Sequence, residues 1–404
     1  ITHRAILMGA LAEGTSSLEG HNEGEDCLAT LRAVEILGAR VERQGGRLLI
    51  HGRAGRMVPP DRPLDLGNSG TGLRLLLGLL AAQPFSVVLT GDASLCRRPV
   101  ERVLAPLRRM GARAEAPGDH APVTLTGGPL HGISHRLELP SAQLRSALLL
   151  AGIQAEGRSC VQGGEGARDH TERLLPAFGC PVHRGADEVC VEGPRRLSGT
   201  SLRIPGDPSA GTFYLMAAGL LPGSEVELEG VGLNPTRIHH FDVLRRMGVE
   251  LAASADPGTG PEPWGRVAAR AAGLVGVEIL PAEVPGLIDE LPALAVLAAM
   301  ARGRTRITGA GELRHKESNR LETVAQGLAA IGARVTSLDD GWLVDGSGGA
   351  PLPGGEVLTR GDHRVAMAFA MAGLATRQGV TLLDEPGISS SDPFFLSNLK
   401  ALEA

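Results

Sequence analysis

The sequence predicts an α/β protein of two similar domains, each holding three copies of one small unit. Three observations carry that prediction. The chain of 404 residues is too long for one ordinary core. It is rich in aliphatic side chains and poor in aromatic ones. A unit of about 70 residues recurs along it, and repeats of this kind decide architecture before any local detail does.

The repeat is visible in two markers. Helix-like apolar runs at 5–11, 73–82, 144–153, 213–221, 291–301 and 365–374 are each followed by a short alternating strand. Those strands are expected to end at Gly20, Gly91, Gly163, Gly230, Gly309 and Asp384, spaced by 71, 72, 67, 79 and 75 residues. The second marker is a helix closing on a glycine before a strand. It reads Leu37-Gly38-Ala39, Met110-Gly111-Ala112, Phe178-Gly179-Cys180, Met247-Gly248-Val249 and Ile331-Gly332-Ala333. Glycine there fits a left-handed helix cap. A sixth marker would fall past Ala404. Each unit thus reads roughly helix–strand–helix–strand–strand. Ile204-Pro205-Gly206-Asp207-Pro208 interrupts the pattern and divides the chain into 1–205 and 206–404. The Gly- and Pro-rich stretches 253–263 and 345–355 read as surface loops.

Composition narrows the function. Apolar residues make up 43% and aromatic ones 2%, so the cores must be built from Leu, Val, Ala, Ile and Gly, and base stacking lacks its platforms. A net charge of −5 gives no overall attraction to nucleic acid or anionic membrane, so any anion site must be a local cluster of cations. The apolar runs at 147–153 and 293–301 are far short of a membrane span. No signal peptide precedes the first helix, and the abrupt opening at Ile1 leaves room for a preceding segment. Cys27, Cys96, Cys160, Cys180 and Cys190 are odd in number with no CxxC pair, so neither a disulfide nor a zinc site is expected, and a reducing cytoplasm fits.

All six apolar helices begin in polar clusters. These are Thr2-His3-Arg4, Gly67-Asn68-Ser69-Gly70-Thr71, Ser141-Ala142-Gln143, Asp207-Pro208-Ser209, Asp289-Glu290 and Asp362-His363-Arg364. Singly, each reads as a helix cap. Six at equivalent ends point to a cleft for small polyanions, lined by helix N-termini and arginines.

These clusters, together with Gly91-Asp92-Ala93-Ser94-Leu95-Cys96-Arg97-Arg98-Pro99, Arg168-Asp169-His170-Thr171-Glu172 and Leu313-Arg314-His315-Lys316-Glu317-Ser318-Asn319-Arg320, resemble the 5-enolpyruvylshikimate-3-phosphate synthase family in order and spacing over essentially the whole chain. The resemblance implies two domains of three βαβαββ units, the inverse α/β barrel arrangement of the enolpyruvyl transferases, with the active site between them. It implies shikimate 3-phosphate and phosphoenolpyruvate as substrates, no cofactor and no metal, a monomer, and glyphosate as an inhibitor.

By match to the family, Arg98, Arg320 and Arg364 grip phosphoenolpyruvate, with Asn68 and Gly70 lying against it. Arg4, Arg168, Ser141, Ala142 and Gln143 hold shikimate 3-phosphate. Arginine suits both anions because its fork makes paired bonds to phosphate or carboxylate. Asp289 matches the base for the 5-hydroxyl, Glu317 the second acid/base group, and Lys316 a cation at the reacting centre. His363 reads equally as a proton shuttle or as structural. Neighbouring cations favour an ionised carboxylate while burial opposes it.

The departures matter too. The family carries a Lys-Ser pair just before the position of Ile1, and a chain starting at Ile1 is expected to turn over little. Serines at 390 and 391 stand where many members place a Lys, as in a divergent glyphosate-tolerant branch, whereas Gly70 stands where tolerant members often have Ala. Asn319 replaces a common Asp. Two rivals remain. A UDP-N-acetylglucosamine enolpyruvyl transferase would use a loop cysteine, and Cys96 sits two residues before Arg98, but the loop is short. A non-catalytic anion-binding paralogue would have no use for both Asp289 and Glu317.

Overall fold

The computed structural model describes residues 1–257, 260–384 and 387–402. Chain contacts divide it into two compact units, Ile1–Ile204 with Gly260–Glu262, and Pro205–Thr259 with Pro263–Ala404.

The first unit holds three four-stranded sheets with one strand order. In one, Leu64–Asp65 runs parallel to Ser86–Thr90, which pairs antiparallel with Val123–Thr126, and Arg113–Glu115 forms the far edge. In the next, Ser134–Arg136, Gly157–Gln162, Glu188–Gly193 and His183–Arg184 repeat that order. The third closes a circle. Its parallel edge strand, Ser201–Arg203, comes last in the chain yet pairs with Thr15–Glu19, followed by Arg47–His51 and Arg40–Gln44. A parallel pair needs a crossover, and the apolar helices Gly70–Leu80 and Ala142–Gly152 supply it in the first two sheets. With Thr2–Leu11 they form the core, buried nearly all round as helices without a polar face must be.

The second unit is built alike. Glu278–Ile279, Arg304–Ile307, Gly341–Asp345 and Arg334–Leu338 keep the same order. Glu225–Gly232, Trp264–Ala271 and Val249–Ala255 make an antiparallel sheet, and Gly355–Val357 runs parallel to Val380–Leu382. Its inner helices are Pro208–Leu220, Leu291–Met300 and His363–Gly373, and every residue of Leu291–Met300 is buried.

All six apolar runs are helices, and all five glycine markers have left-handed backbone, with φ of 93° at Gly38, 120° at Gly111, 81° at Gly179, 91° at Gly248 and 88° at Gly332. The short strand ahead of an inner helix, absent from the periodicity, completes the βαβαββ order. Leu64–Asp65 and Glu278–Ile279 are two residues each, too short to alternate. Two boundaries move. The strand expected to end at Gly230 continues to Gly232 through a register irregularity between Leu228 and Val231. Part of the 253–263 loop is strand up to Ala255, and Gly258 and Thr259 lie outside the described residues.

The cysteine expectation needs correcting. Cys160 and Cys190 are joined, with an S–S distance of 2.15 Å. They are register partners on adjacent antiparallel strands, so a sequence separation of 30 folds into a Cα separation of 4.1 Å. Cys27, Cys96 and Cys180 take no part in a disulfide.

Small residues let the inner helices touch backbone to backbone. A Cβ added at Gly78 would lie 2.6 Å from Ala147 Cα, an overlap no rotamer change relieves, whereas one at Gly128 meets nothing within 4 Å. Gly78→Ala is therefore expected to lower unfolding stability by about 1–3 kcal/mol through overpacking. Gly128→Ala should stay within about 0.5 kcal/mol. Urea midpoints of the two variants check both.

Candidate functional site

In the second unit the predicted residues converge on one guanidinium. Arg320 opens the Arg320–Ala330 helix and is 1% exposed. Its Nε donates to Asp362 Oδ2 at 2.8 Å and its Nη2 to Asp362 Oδ1 at 3.1 Å, the paired geometry that a fork-shaped cation favours. Nη2 also donates to Glu317 Oε2 at 2.5 Å, and Nη1 lies 3.6 Å from Asp289 Oδ1. Lys316 Nζ stands 3.6 Å from the same Asp289 oxygen. Arg364 Nη1 donates to the Asp289 carbonyl at 3.4 Å. Asp289, Lys316, Glu317, Arg320 and Arg364 thus form one cluster.

Asp362 is the hub. It is wholly buried, accepts from Arg320 and from Ser318 Oγ at 3.1 Å, and caps the His363–Gly373 helix through the Arg364 and Val365 amides. Burial pushes its carboxyl up, but the charge and hydrogen bonds of Arg320 outweigh that and hold it below the ordinary carboxylate value. The reverse holds for Arg320. Burial disfavours its charge, and Asp362, Glu317 and Asp289 more than compensate, raising its pKa. Arg320 Nη1 makes no hydrogen bond among the described residues, leaving a buried donor unspent.

His363 is the first residue of its helix, and burial, reinforced by Arg364, lowers its pKa to about 4. It is therefore neutral at pH 7, and the imidazolium form a proton donor needs is scarce. Asn319 caps the Arg320–Ala330 helix, accepting from Glu322 N, a task that Asn performs as well as Asp.

In the first unit Asn68, Gly70, Arg98, Ser141, Ala142 and Gln143 sit at or against two helix starts, whereas Arg4 and Arg168 lie elsewhere. Arg98 Nη2 donates to Asn68 Oδ1, and Asn68 Nδ2 donates to Asp92 Oδ2 at 2.8 Å. Gly70 begins the Gly70–Leu80 helix, capped by Ser69, and a Cβ there would stand 2.8 Å from Arg74 Nη1 and 2.9 Å from Arg98 Nη1. Arg74 Nη1 links this helix to the next, donating to Gln143 Oε1 at 3.0 Å, while Gln143 Nε2 donates to Thr71 Oγ1 at 2.9 Å. Ser141 caps the Ala142–Gly152 helix, which begins at Ala142. Arg4 is buried, with Nε donating to Thr171 Oγ1 at 2.8 Å and Nη2 to Ser146 Oγ at 3.0 Å.

The Arg168–Glu172 motif divides by role. Asp169 receives Arg173 and Arg184, Thr171 receives Arg4, and Glu172 pairs with buried Arg145 at 3.1 Å. Arg168 lies half-buried just ahead of the His170–Ala177 helix. Asp362 and Arg74, which tie these clusters together, were not singled out from sequence. Asp362 lies in a quoted motif and Arg74 within an apolar run, but their partners are 42 and 69 positions away and no spacing rule reaches them.

Two repeats of inner helices with polar N-termini, carrying arginines and a carboxylate–lysine cluster, define a two-domain α/β enolpyruvyl transferase fold. The structure superposes on the enolpyruvyl transferase NikO from Streptomyces tendae with a TM-score of 0.77 at 21% identity, covering 100% of this chain and 93% of that one, a likeness of fold. It superposes on EPSP synthase from Acinetobacter baumannii with a TM-score of 0.88 at 41% identity, covering 99% and 93%. The family model for EPSP synthase (3-phosphoshikimate 1-carboxyvinyltransferase) matches residues 1–399. The 3-phosphoshikimate 1-carboxyvinyltransferase of Acidithiobacillus ferrooxidans is 48% identical over 397 residues, covering 98% of this chain and 91% of the relative. That of Halorhodospira halophila is 46% identical over 406 residues, covering 100% and 91%. The chain belongs to the EPSP synthase family. Among the described residues, no helix is long and apolar enough to cross a membrane.

Asp362→Asn should cost about 3–5 kcal/mol of stability at neutral pH, because it strips a buried cation of its counter-charge. The sign with pH follows from the lowered pKa. The stabilisation from Asp362 is full above the unfolded carboxyl value, about 4, and is lost as pH falls through the lower folded value. Stability of the parent chain should therefore drop more steeply below about pH 4 than that of the variant. Denaturant titrations across pH measure both.

Proposed function

We propose that the chain transfers the enolpyruvyl group of phosphoenolpyruvate to the 5-hydroxyl of shikimate 3-phosphate, releasing inorganic phosphate, in the shikimate pathway. The observation that carries the reading is the Asp289–Lys316–Glu317–Arg320 cluster around one buried guanidinium. The 5-oxygen bonds to the enol carbon as its proton leaves to Asp289, and a proton reaches the methylene carbon from Glu317. The carbon–oxygen bond to phosphate then breaks, and the methyl group returns a proton, restoring the double bond. Lys316 offsets negative charge at the centre. Groups positioned for such transfers contribute about 10²–10⁴ in rate.

Residues 1–205 take the shikimate 3-phosphate side through Arg4, Ser141, Ala142, Gln143 and Arg168. Residues 206–404 take the acid/base side. Arg98, Arg320 and Arg364 hold phosphoenolpyruvate with Asn68 and Gly70. Support for Arg98 comes from its hydrogen bond to Asn68, which aims it, and support for Arg320 from its unspent Nη1. His363 acts as a neutral hydrogen-bonding group in this reading, consistent with its lowered pKa. We take the enzyme to be a cytoplasmic monomer that needs no cofactor.

Phosphate release with both substrates tests the assignment. Asp289→Asn and Glu317→Gln should each lower kcat by about 10² or more, with circular dichroism unchanged. Cys96→Ser should leave turnover intact, since the Cys96 thiol donates to the Gly91 carbonyl at 3.4 Å. Turnover with UDP-N-acetylglucosamine in place of shikimate 3-phosphate, lost in Cys96→Ser, would favour that sister activity. No turnover with either acceptor in a chain that carries a Lys-Ser pair ahead of Ile1 would favour an anion-binding protein.

We further propose that the chain lies near the glyphosate-tolerant branch while Gly70 leaves room for glyphosate. The Gly91–Pro99 and Arg168–Glu172 sequences support the first part, as does Ser391 beside Ser390, whose side chain lies outside the described residues. The close approach of Arg74 and Arg98 to Gly70 supports the second. Gly70→Ala should therefore raise the glyphosate inhibition constant more than the KM for phosphoenolpyruvate. Unchanged inhibition would defeat this.

A further inference from the structure

Behind Asp289 lies a second buried ionic cluster that the reaction scheme leaves unused. Glu290 is 1% exposed, Ser209 1%, Arg237 6% and His240 0%. Ser209 Oγ donates to Glu290 Oε1, and Arg237 Nη2 donates to Ser209 Oγ and, at 2.8 Å, to Asp207 Oδ1. Arg237 Nη1 lies 3.9 Å from Glu290 Oε1. Glu290 is also the hinge of the backbone here. Its amide donates to the Leu287 carbonyl at 2.9 Å, and its carbonyl accepts from Leu294 at 3.0 Å, joining the Val284–Leu287 turn to the Leu291–Met300 helix.

Two observations argue against a purely stabilising role. Arg237 Nη1, Glu290 Oε2 and both His240 nitrogens make no hydrogen bond among the described residues. Buried polar atoms left unsatisfied weaken a fold, and a well-packed apolar core would serve stability better. The cluster also adjoins Asp289 directly in sequence.

We infer that Glu290 and Arg237 are positioning residues for Asp289, anchoring its backbone from behind and setting the charge its carboxylate feels. The inference rests on the reading of Asp289 as the base. Arg237 itself answers to this neighbourhood: burial works against its charge, and Asp207, Glu290 and Asp289 together outweigh burial and raise its pKa. Lys316, Arg320 and Arg364 meet Asp289 directly, Glu317, Asp362 and His363 adjoin Arg320, and His240 adjoins Glu290 and Arg237. Burial keeps His240 neutral at pH 7, with a pKa of about 4.

The pair carries opposite charges, so two substitutions should move the same titration in opposite directions. In Glu290→Gln a negative neighbour is lost, Asp289 ionises more readily, and the acidic limb of kcat/KM should move to lower pH. In Arg237→Gln a positive neighbour is lost and that limb should move to higher pH. Each shift should be about half a pH unit or more, with kcat down about 10-fold. Arg237→Lys keeps the charge and should restore the limb while kcat stays low. Asp289→Glu shows whether the limb belongs to that side chain, since it then moves. If it stays, the reading of Asp289 as the base fails and this inference with it. If Asp289→Glu moves the limb while Glu290→Gln and Arg237→Gln leave it in place, Asp289 remains the base and the inference alone is overturned. Should Glu290→Gln fail to fold, the contrast between Arg237→Gln and Arg237→Lys decides.

Discussion

The Arg320–Asp362 pair is the interaction on which the second unit's site depends. Both charges are essentially removed from water, so neither is tolerable without the other. An apolar pair of the same volume would stabilise the fold as well or better. What the ion pair adds is direction. Asp362 spends one oxygen on the first turn of the His363–Gly373 helix and both on the Arg320 fork, which locks two helix starts to each other. Arg320 then fixes Glu317 through Nη2 and faces Asp289 through Nη1. Charges held in place before substrate arrives need no reorganisation during reaction, and that is where electrostatic catalysis draws its strength.

The inner helices make such precision affordable for a chain with so few aromatic rings. Gly70–Leu80, Ala142–Gly152 and Leu291–Met300 are buried along nearly their whole length. Close approach, as at Gly78 against Ala147, replaces bulk as the source of packing. A helix gripped on all sides presents its N-terminus rigidly, and two of these termini carry a cap that also pairs with a distant cation. Asp207 caps Pro208–Leu220 and also receives Arg237, and Asp362 caps its helix while holding Arg320. Local capping chemistry and long-range ion pairing share the same side chains.

That sharing explains what was legible in the sequence. The six apolar runs and five closing glycines could be read because each follows a local rule, periodicity in one case and positive φ in the other. Strands of two residues, such as Leu64–Asp65, obey no local rule, since their pairing comes from the neighbouring strand. The same limit hid the Cys160–Cys190 bond, which depends on register across 30 positions. The candidate residues were legible as motifs, but the partners they meet in the structure were not. Nothing around Arg4 points to Ser146 or Thr171, and nothing in Arg168–Glu172 reveals that Thr171 and Glu172 are committed to Arg4 and Arg145.

Charges in the second unit's cluster come close to balancing. Lys316, Arg320, Arg364 and Arg237 face Asp289, Glu290, Glu317, Asp362 and Asp207, four cations against five carboxylates. Such a cluster has no net positive field with which to attract a phosphorylated anion. Its hold on one would come from donor direction, above all from Arg320 Nη1, which is buried and unspent. The first unit differs in kind. Around Asn68 and Gly70 two guanidinium groups, Arg74 and Arg98, crowd a helix N-terminus, and Asp92 is the acid that the Asn68 amide engages. A carboxylate swamped by cations is a poor base and a cation matched by carboxylates is a poor anion trap, so the near balance of charge around Asp289 suits proton transfer more than the capture of a polyanion.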